Sequence, residues 1–133
     1  FTFTFLRDPR DRLVSAYYYN WYRRRYRKGK ERRLLSRTNG DFPLFVRRFL
    51  PRLIGLRDLF MHHSHWVKGF HFDFIGKYEH LSRDWAVVAE RLGVSSQLPK
   101  LNSSAHENYR KQFNQTTSEI AHRYYRDDFE IGK

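Results

Sequence analysis

FTFTFLRDPRDRLVSAY, Phe1 to Tyr17, changes its hydrophobic period in mid-course. Phe and Thr alternate from Phe1 to Leu6, the period of two expected of a strand with a large aromatic face. Arg7-Asp8-Pro9 then breaks the alternation. Proline has no amide hydrogen to give a ladder, yet its fixed φ suits the first turn of a helix. From Asp11 to about Arg25, Leu13, Val14, Tyr17 and Trp21 recur at helical spacing. The reading is strand, tight turn, long helix. Tyr17 and Trp21 are expected to be buried against the Phe-rich strand, with Tyr18, Tyr19 and Tyr22 left partly wet.

Downstream, Arg23 to Arg37 is dense in Lys and Arg and reads as a solvated helix end running into the loop Thr38-Asn39-Gly40-Asp41. Asp41 is the expected N-cap of a second helix whose apolar stripe is Phe42, Phe45, Val46, Phe49 and Leu50. Pro51 should bend or end that pattern, and Leu53 to Met61 can continue as a short helix. Phe70 to Ile75 alternates again and predicts a second strand, parallel to the first and closed by Gly76. Ser82 is the expected cap of a helix ending at Leu92, with Gly93 in the left-handed position after it. The chain from Val94 to Asn114 reads as loop, and Thr116 with Glu119 as a capping box opening a last helix through Ile120, Tyr124 and Tyr125. Strands alternating with helices of these lengths predict one α/β domain over residues 1–133, a parallel sheet flanked by helices.

Composition narrows the partners. The net charge of +12, from 26 Lys and Arg against 14 Asp and Glu, calls for an anionic partner. Charge alone leaves nucleic acid, acidic glycan, phosphorylated cofactor and anionic lipid open. No apolar stretch reaches the roughly 20 residues of a spanning helix, so no membrane span is expected within the chain. Cysteine is absent, which removes disulfides and Cys-ligated zinc and leans towards a cytoplasmic setting. The alternative compartment is a Golgi membrane with a lumenal domain, given an anchor elsewhere. Phe1 in place of Met, with a strand pattern from the first residue, reads as a chain cut from something longer.

The chemistry concentrates in Arg7 to Tyr17. An α/β sheet collects ligands at the carboxyl ends of its strands. Arg7 at such an end offers a fixed fork of donors to phosphate oxygens, and Ser15 in the following helix can add a hydroxyl. An Arg-Asp-Pro turn by itself is common as a helix-start device.

The RDPxxRxxSxY pattern, carried by Arg7, Asp8, Pro9, Arg12, Ser15 and Tyr17, resembles the 3′-phosphate-binding motif of the PAPS-dependent sulfotransferases. The likeness is to the carbohydrate type that includes the chondroitin and heparan sulfate enzymes. It continues in family order with His65-Trp66, with FDFIGKYEHLSRD from Phe72 to Asp84, with LPKLNSS from Leu98 to Ser104, and with YYRDDFE from Tyr124 to Glu130. The resemblance implies a P-loop-NTPase-like sulfotransferase fold in which Arg7 and Ser15 hold the 3′-phosphate of the donor PAPS. It also implies a sulfuryl transfer from PAPS to a carbohydrate hydroxyl, with no metal. The family's phosphate-binding loop and its Lys precede the strand equivalent to Phe1 to Leu6, so the N-terminal phosphate-loop portion is expected to be absent here. The catalytic base would lie upstream with it, and this chain alone is expected to be incomplete as a catalyst.

Other residues have competing readings. Arg12 either braces the motif through Asp8 or Glu79 or is a solvated helix charge. Arg27-Lys28-Gly29 resembles a phosphate-binding element of cytosolic sulfotransferases but stands in the wrong part of the chain, so a solvated face is the better reading. Arg23, Arg24, Arg25, Arg32 and Arg33 are candidates for gripping an acidic glycan acceptor. His62, His63 and His65 lack the spacing of a metal site; His62 and His63 read as a surface histidine cluster, and His65, in the His-Trp pair, as a structural or acceptor-lining residue ahead of a catalytic one. The rival class is a basic module that binds nucleic acid or a heparin-like polyanion without chemistry. No specific nucleic-acid motif accompanies the charge.

Overall fold

The computed structural model describes residues 1–26, 28–53, 60–99 and 108–131. Strand β1 is Phe3–Leu6 and helix α1 is Pro9–Tyr22, followed by a 3-10 turn Arg24–Tyr26 and α2, Gly29–Thr38. Helices α3, Phe42–Leu44, and α4, Leu50–Leu53, are joined by a π-helical turn Phe45–Phe49. Then come α5, His63–Val67, β2, Phe74–Lys77, and after a 3-10 turn Tyr78–His80 the helix α6, Leu81–Leu92. Helices α7, Tyr109–Gln112, α8, Gln115–Tyr124, and α9, Arg126–Ile131, complete the described chain.

β1 and β2 pair in parallel, Phe3 opposite Phe74 and Leu6 opposite Lys77, so both strands end at the same edge. The second strand begins later than its alternation suggests. FHFDFI has the right period, but a ladder forms only where β1 offers partners, and the amides of Asp73 and Phe74 are the first to reach it, at the carbonyl of Thr2. One sheet face carries Phe1, Phe3 and Phe5, with Trp85 of α6 against Phe3. Thr4, Leu6 and Ile75 on the other face share a cavity with Ser64 and Val67 of α5 and Ile131 of α9. Helices therefore stand on both faces of a small parallel sheet, a helix-rich α/β arrangement.

Gly76 sits opposite Phe5 in the ladder, and a Cβ placed there would overlap the Phe5 ring. Gly76→Ala is expected to cost about 1 to 3 kcal/mol, the usual range for overpacking, read from the urea midpoint.

The core lies among the helices rather than at the sheet. Leu13, Val14 and Tyr17 of α1, Leu34 and Leu35 of α2, the stripe Phe42, Phe45, Val46, Phe49 and Leu50, and Phe60, Ala121 and Tyr125 form one buried cluster. The Tyr17 ring stacks against Trp21 and meets Phe42 and Phe45, not the aromatic strand. That corrects the expected packing, since α6 already covers the Phe face. Because the Thr38 hydroxyl donates to the Leu35 carbonyl, the Tyr17 hydroxyl donates to Thr38, at 2.7 Å. Burial pushes the Tyr17 phenol up to about 12.

Several helix ends differ from their expected positions. The basic run is not one frayed helix end but the 3-10 turn and α2, which turns Leu34, Leu35 and Thr38 inwards. Asp41 caps α3 as expected, accepting from the Leu44 amide at 2.8 Å. Pro51 does not end the pattern. The preceding turn widens to π geometry, with the Leu50 amide bonded to the Phe45 carbonyl, and the helix continues to Leu53. Helix α6 starts at Leu81 without a side-chain cap, so Ser82 lies inside it, while Gly93 holds the left-handed end at φ 66°. The capping box is Asn114 with Thr117, two residues before the expected one. Asn outranks Thr as an N-cap, and the helix starts where the better cap stands. The expected helix from Leu53 to Met61 and the LPKLNSS stretch lie largely outside the described residues.

Candidate functional site

The carboxyl edge of the sheet is held together by three carboxylates. Glu79 accepts from the Asp8 amide at 2.6 Å, which ties the exit of β1 to the turn after β2. Asp84 accepts from the Lys77 amide at 2.7 Å and from Arg83. Asp128 of α9 accepts from Arg12 of α1 at 2.6 Å and from the backbone amides of His63 and Ser64 at 2.7 and 2.8 Å. Its side chain is 1% exposed. Asp128 therefore closes an ion pair and caps α5 at once, joining three helices beneath the sheet edge. Arg12 braces the motif, as one of its two readings had it, but through Asp128 and not through Asp8 or Glu79.

Asp8 serves α1 locally. It caps the helix by accepting from the Arg10 amide at 2.8 Å and pairs with the Arg10 guanidinium. Burial pushes the Asp8 carboxyl up, but these Arg10 contacts outweigh it and hold the group below its ordinary value.

Arg7 leaves β1 at this edge. Its Nε donates to Asp11, one turn into α1, at 2.7 Å, and its guanidinium lies 4.6 Å from the centre of the Tyr78 ring. Both contacts orient the plane and leave the terminal nitrogens without an intramolecular acceptor among the described residues. Arg7 lines a cavity of about 420 Å³ together with Asp8, Lys77, Glu79, Tyr109 and Arg110, among others. Asp8 and Asp128 in this lining are paired with Arg10 and Arg12, and Glu79 accepts from the Asp8 amide. Arg7, Lys77 and Arg110 bring three positive charges to the same lining.

His63 stands close behind this edge. Burial, reinforced by the Arg12 guanidinium and opposed by Asp128, lowers His63 from 6.5 to about 4. The unfolded chain takes this proton near 6.5, whereas the folded chain takes it only near 4. The stability tied to neutral His63 is therefore complete above pH 6.5 and lost as pH falls towards 4. The urea midpoint is expected to rise with pH across this window, and His63→Gln to remove part of the rise.

The model of the sulfotransferase family matches residues 1–131. The chain belongs to the sulfotransferase family. No curated protein and no solved structure matches it. Members of this family transfer sulfate to an acceptor, and the chain is a sulfotransferase domain in that sense.

For a sulfotransferase, the positions of the residues singled out in the sequence matter individually. Arg7 lines the cavity at the sheet edge. Ser15 is half-buried on α1, two turns beyond Arg7 and one beyond Asp11, and does not line that cavity. Its hydroxyl has no hydrogen-bond partner among the described residues. His65 is exposed on α5 with its ring edge-on to Trp66 at 5.3 Å, and it does not line the cavity at Arg7. Arg23, Arg24 and Arg25 follow α1 at the end opposite Arg7, about 21 Å along a helix of 14 residues. Each lies over an aromatic ring, those of Tyr19, Trp21 and Tyr26. Arg32 and Arg33 are exposed on α2.

Asp128, Lys77, Glu79 and Arg110 escaped the sequence reading as site residues. The signal for Asp128 was present in YYRDDFE, but its partners lie 65 and 116 positions away. Among the described residues no group of His, Asp and Glu is arranged to hold a metal, and no helix is long and apolar enough to cross a membrane.

Proposed function

We propose that the chain supplies the 3′-phosphate grip of a PAPS-dependent sulfotransferase acting on a carbohydrate hydroxyl, with Arg7 and Ser15 as the gripping residues. The observation that carries this reading is the Arg7 guanidinium at the carboxyl edge of a parallel sheet. It is anchored through Nε, which leaves its terminal nitrogens without an acceptor among the described residues, and it lines a cavity to which Lys77 and Arg110 also bring positive charge. Ser15 stands on the same stripe of α1 as Asp11 with no hydrogen-bond partner among the described residues, and its part in the grip rests on the RDPxxRxxSxY likeness, since it does not line this cavity.

In the reaction, the acceptor oxygen bonds to sulfur as the bond from sulfur to the bridging oxygen of the donor breaks. Adenosine 3′,5′-bisphosphate (PAP) leaves, and the hydroxyl proton passes to a base. Charge builds on the sulfuryl and bridging oxygens, so fixed cations and alignment supply most of the acceleration. The donor's 5′ side belongs, on this reading, to the P-loop-like half of the fold that carries the phosphate-binding loop.

Titration calorimetry tests the grip. PAP should bind more tightly than adenosine 5′-monophosphate, which lacks the 3′-phosphate, by about tenfold or more. Equal affinity for the two nucleotides would favour a basic module without donor recognition.

A further inference from the structure

A second cationic site lies away from the donor cavity. Arg37 of α2, Arg48 of the π turn and Arg52 of α4 line a groove of about 590 Å³ whose floor is Leu44 and Phe49. It shares no lining residue with the cavity at Arg7. All three arginines are exposed, and among the described residues none has a carboxylate, hydrogen-bond or ring partner. Arg48 and Arg52 stand four residues apart on one helical face, where like charges repel. Among the described residues the charges of this cluster repel one another, which an anion would relieve. Arg23, Arg24 and Arg25 differ, because their guanidiniums are already laid on the chain's own rings.

We infer that Arg37, Arg48 and Arg52 form a subsite for an acidic stretch of a polymeric glycan acceptor, a deepening that rests on the sulfotransferase reading above. The guanidinium fork matches carboxylate and sulfate-ester oxygens in pairs. A single-stranded nucleic acid would use exposed aromatic rings for stacking. The aromatic in this groove, Phe49, is 7% exposed and serves as floor. The turn after Arg37 rests on Trp21, with Gly40 facing that ring, towards the end of α1 remote from Arg7. Arg37 precedes that turn, so an acceptor that engages the groove and the donor cavity together is an extended chain of acidic sugars.

The test uses the full chain and a heparin dodecasaccharide as probe, titrated at several salt concentrations. Arg48→Ser with Arg52→Ser is expected to weaken heparin about tenfold or more and to flatten its salt dependence. Arg91→Ser with Arg123→Ser removes the same charge from exposed positions elsewhere and should cost much less. Equal losses in the two double variants would overturn the subsite in favour of a diffuse field. A single-stranded oligonucleotide that binds as tightly as heparin, and is lost equally with the groove arginines, would overturn the glycan assignment. PAP titrated into the same proteins separates this inference from the donor site. Intact PAP binding with heparin binding indifferent to the groove overturns the groove alone. Groove-dependent heparin binding in a wild type that does not bind PAP supports the groove and overturns the donor reading.

Discussion

Arg7→Ala is expected to weaken PAP binding about tenfold or more, because a charge-assisted hydrogen bond contributes roughly 1.5 to 3 kcal/mol and a guanidinium fork can make two. The geometry favours a large effect. Asp11 and the Tyr78 ring hold the guanidinium before any ligand arrives, so little side-chain entropy remains to be lost on binding. Arg7→Lys should recover only part of the affinity, since an ammonium offers charge without the fork. Ser15→Ala should cost less than Arg7→Ala, as a neutral hydroxyl donor does. Arg32→Ala with Arg33→Ala removes two exposed charges from α2 and should barely change PAP binding, because exposed charges at a distance are screened. Calorimetric titration of PAP into the four proteins reads all of these. Equal losses in Arg7→Ala and in the α2 double variant would end the donor-site assignment.

Asp128→Ala is expected to be the most damaging substitution to the fold, at about 3 to 5 kcal/mol, the usual loss when one member of a buried ion pair is removed. One carboxylate satisfies the Arg12 guanidinium and the first two amides of α5. Its loss strands a largely buried cation and two donors together. Arg12→Met paired with Asp128→Leu should recover part of the stability by removing both charges, yet not all of it, because the amides of His63 and Ser64 still lack an acceptor. Urea denaturation followed by circular dichroism measures the two variants against the wild type. A loss in Asp128→Ala of under 1 kcal/mol, the scale of an exposed pair, would show that the carboxylate is solvated and not a hub.

Much of the site's local structure was legible along the chain. The strand, the Asp8-Pro9 helix start, the Asp41 cap, the apolar stripe Phe42 to Leu50 and the Gly93 terminus each follow from interactions within a few residues. The placement of Arg7 at a strand end is of the same kind, since period two gives way to a helical period at that residue. Where the reading slipped, a neighbour in the sequence competed with a better one. Asn114 took the cap from Thr116, and the dense charge of Arg23 to Arg37 hid the inward edge of α2 at Leu34, Leu35 and Thr38.

The sequence by itself determined β1 and the start of α1, the apolar stripe from Phe42 to Leu50, and that Arg7 stands at a strand's carboxyl end, because these depend on backbone preference and side-chain period. Only the tertiary structure decided that Arg12 answers to Asp128, that Glu79 ties the two strand exits, that Tyr17 packs on the helical core and that three exposed arginines share a groove. Those partners are far apart in the chain. Several acids and bases could have made each pair on charge alone, and the selection follows from which of them the packing of buried surfaces brings within hydrogen-bond range.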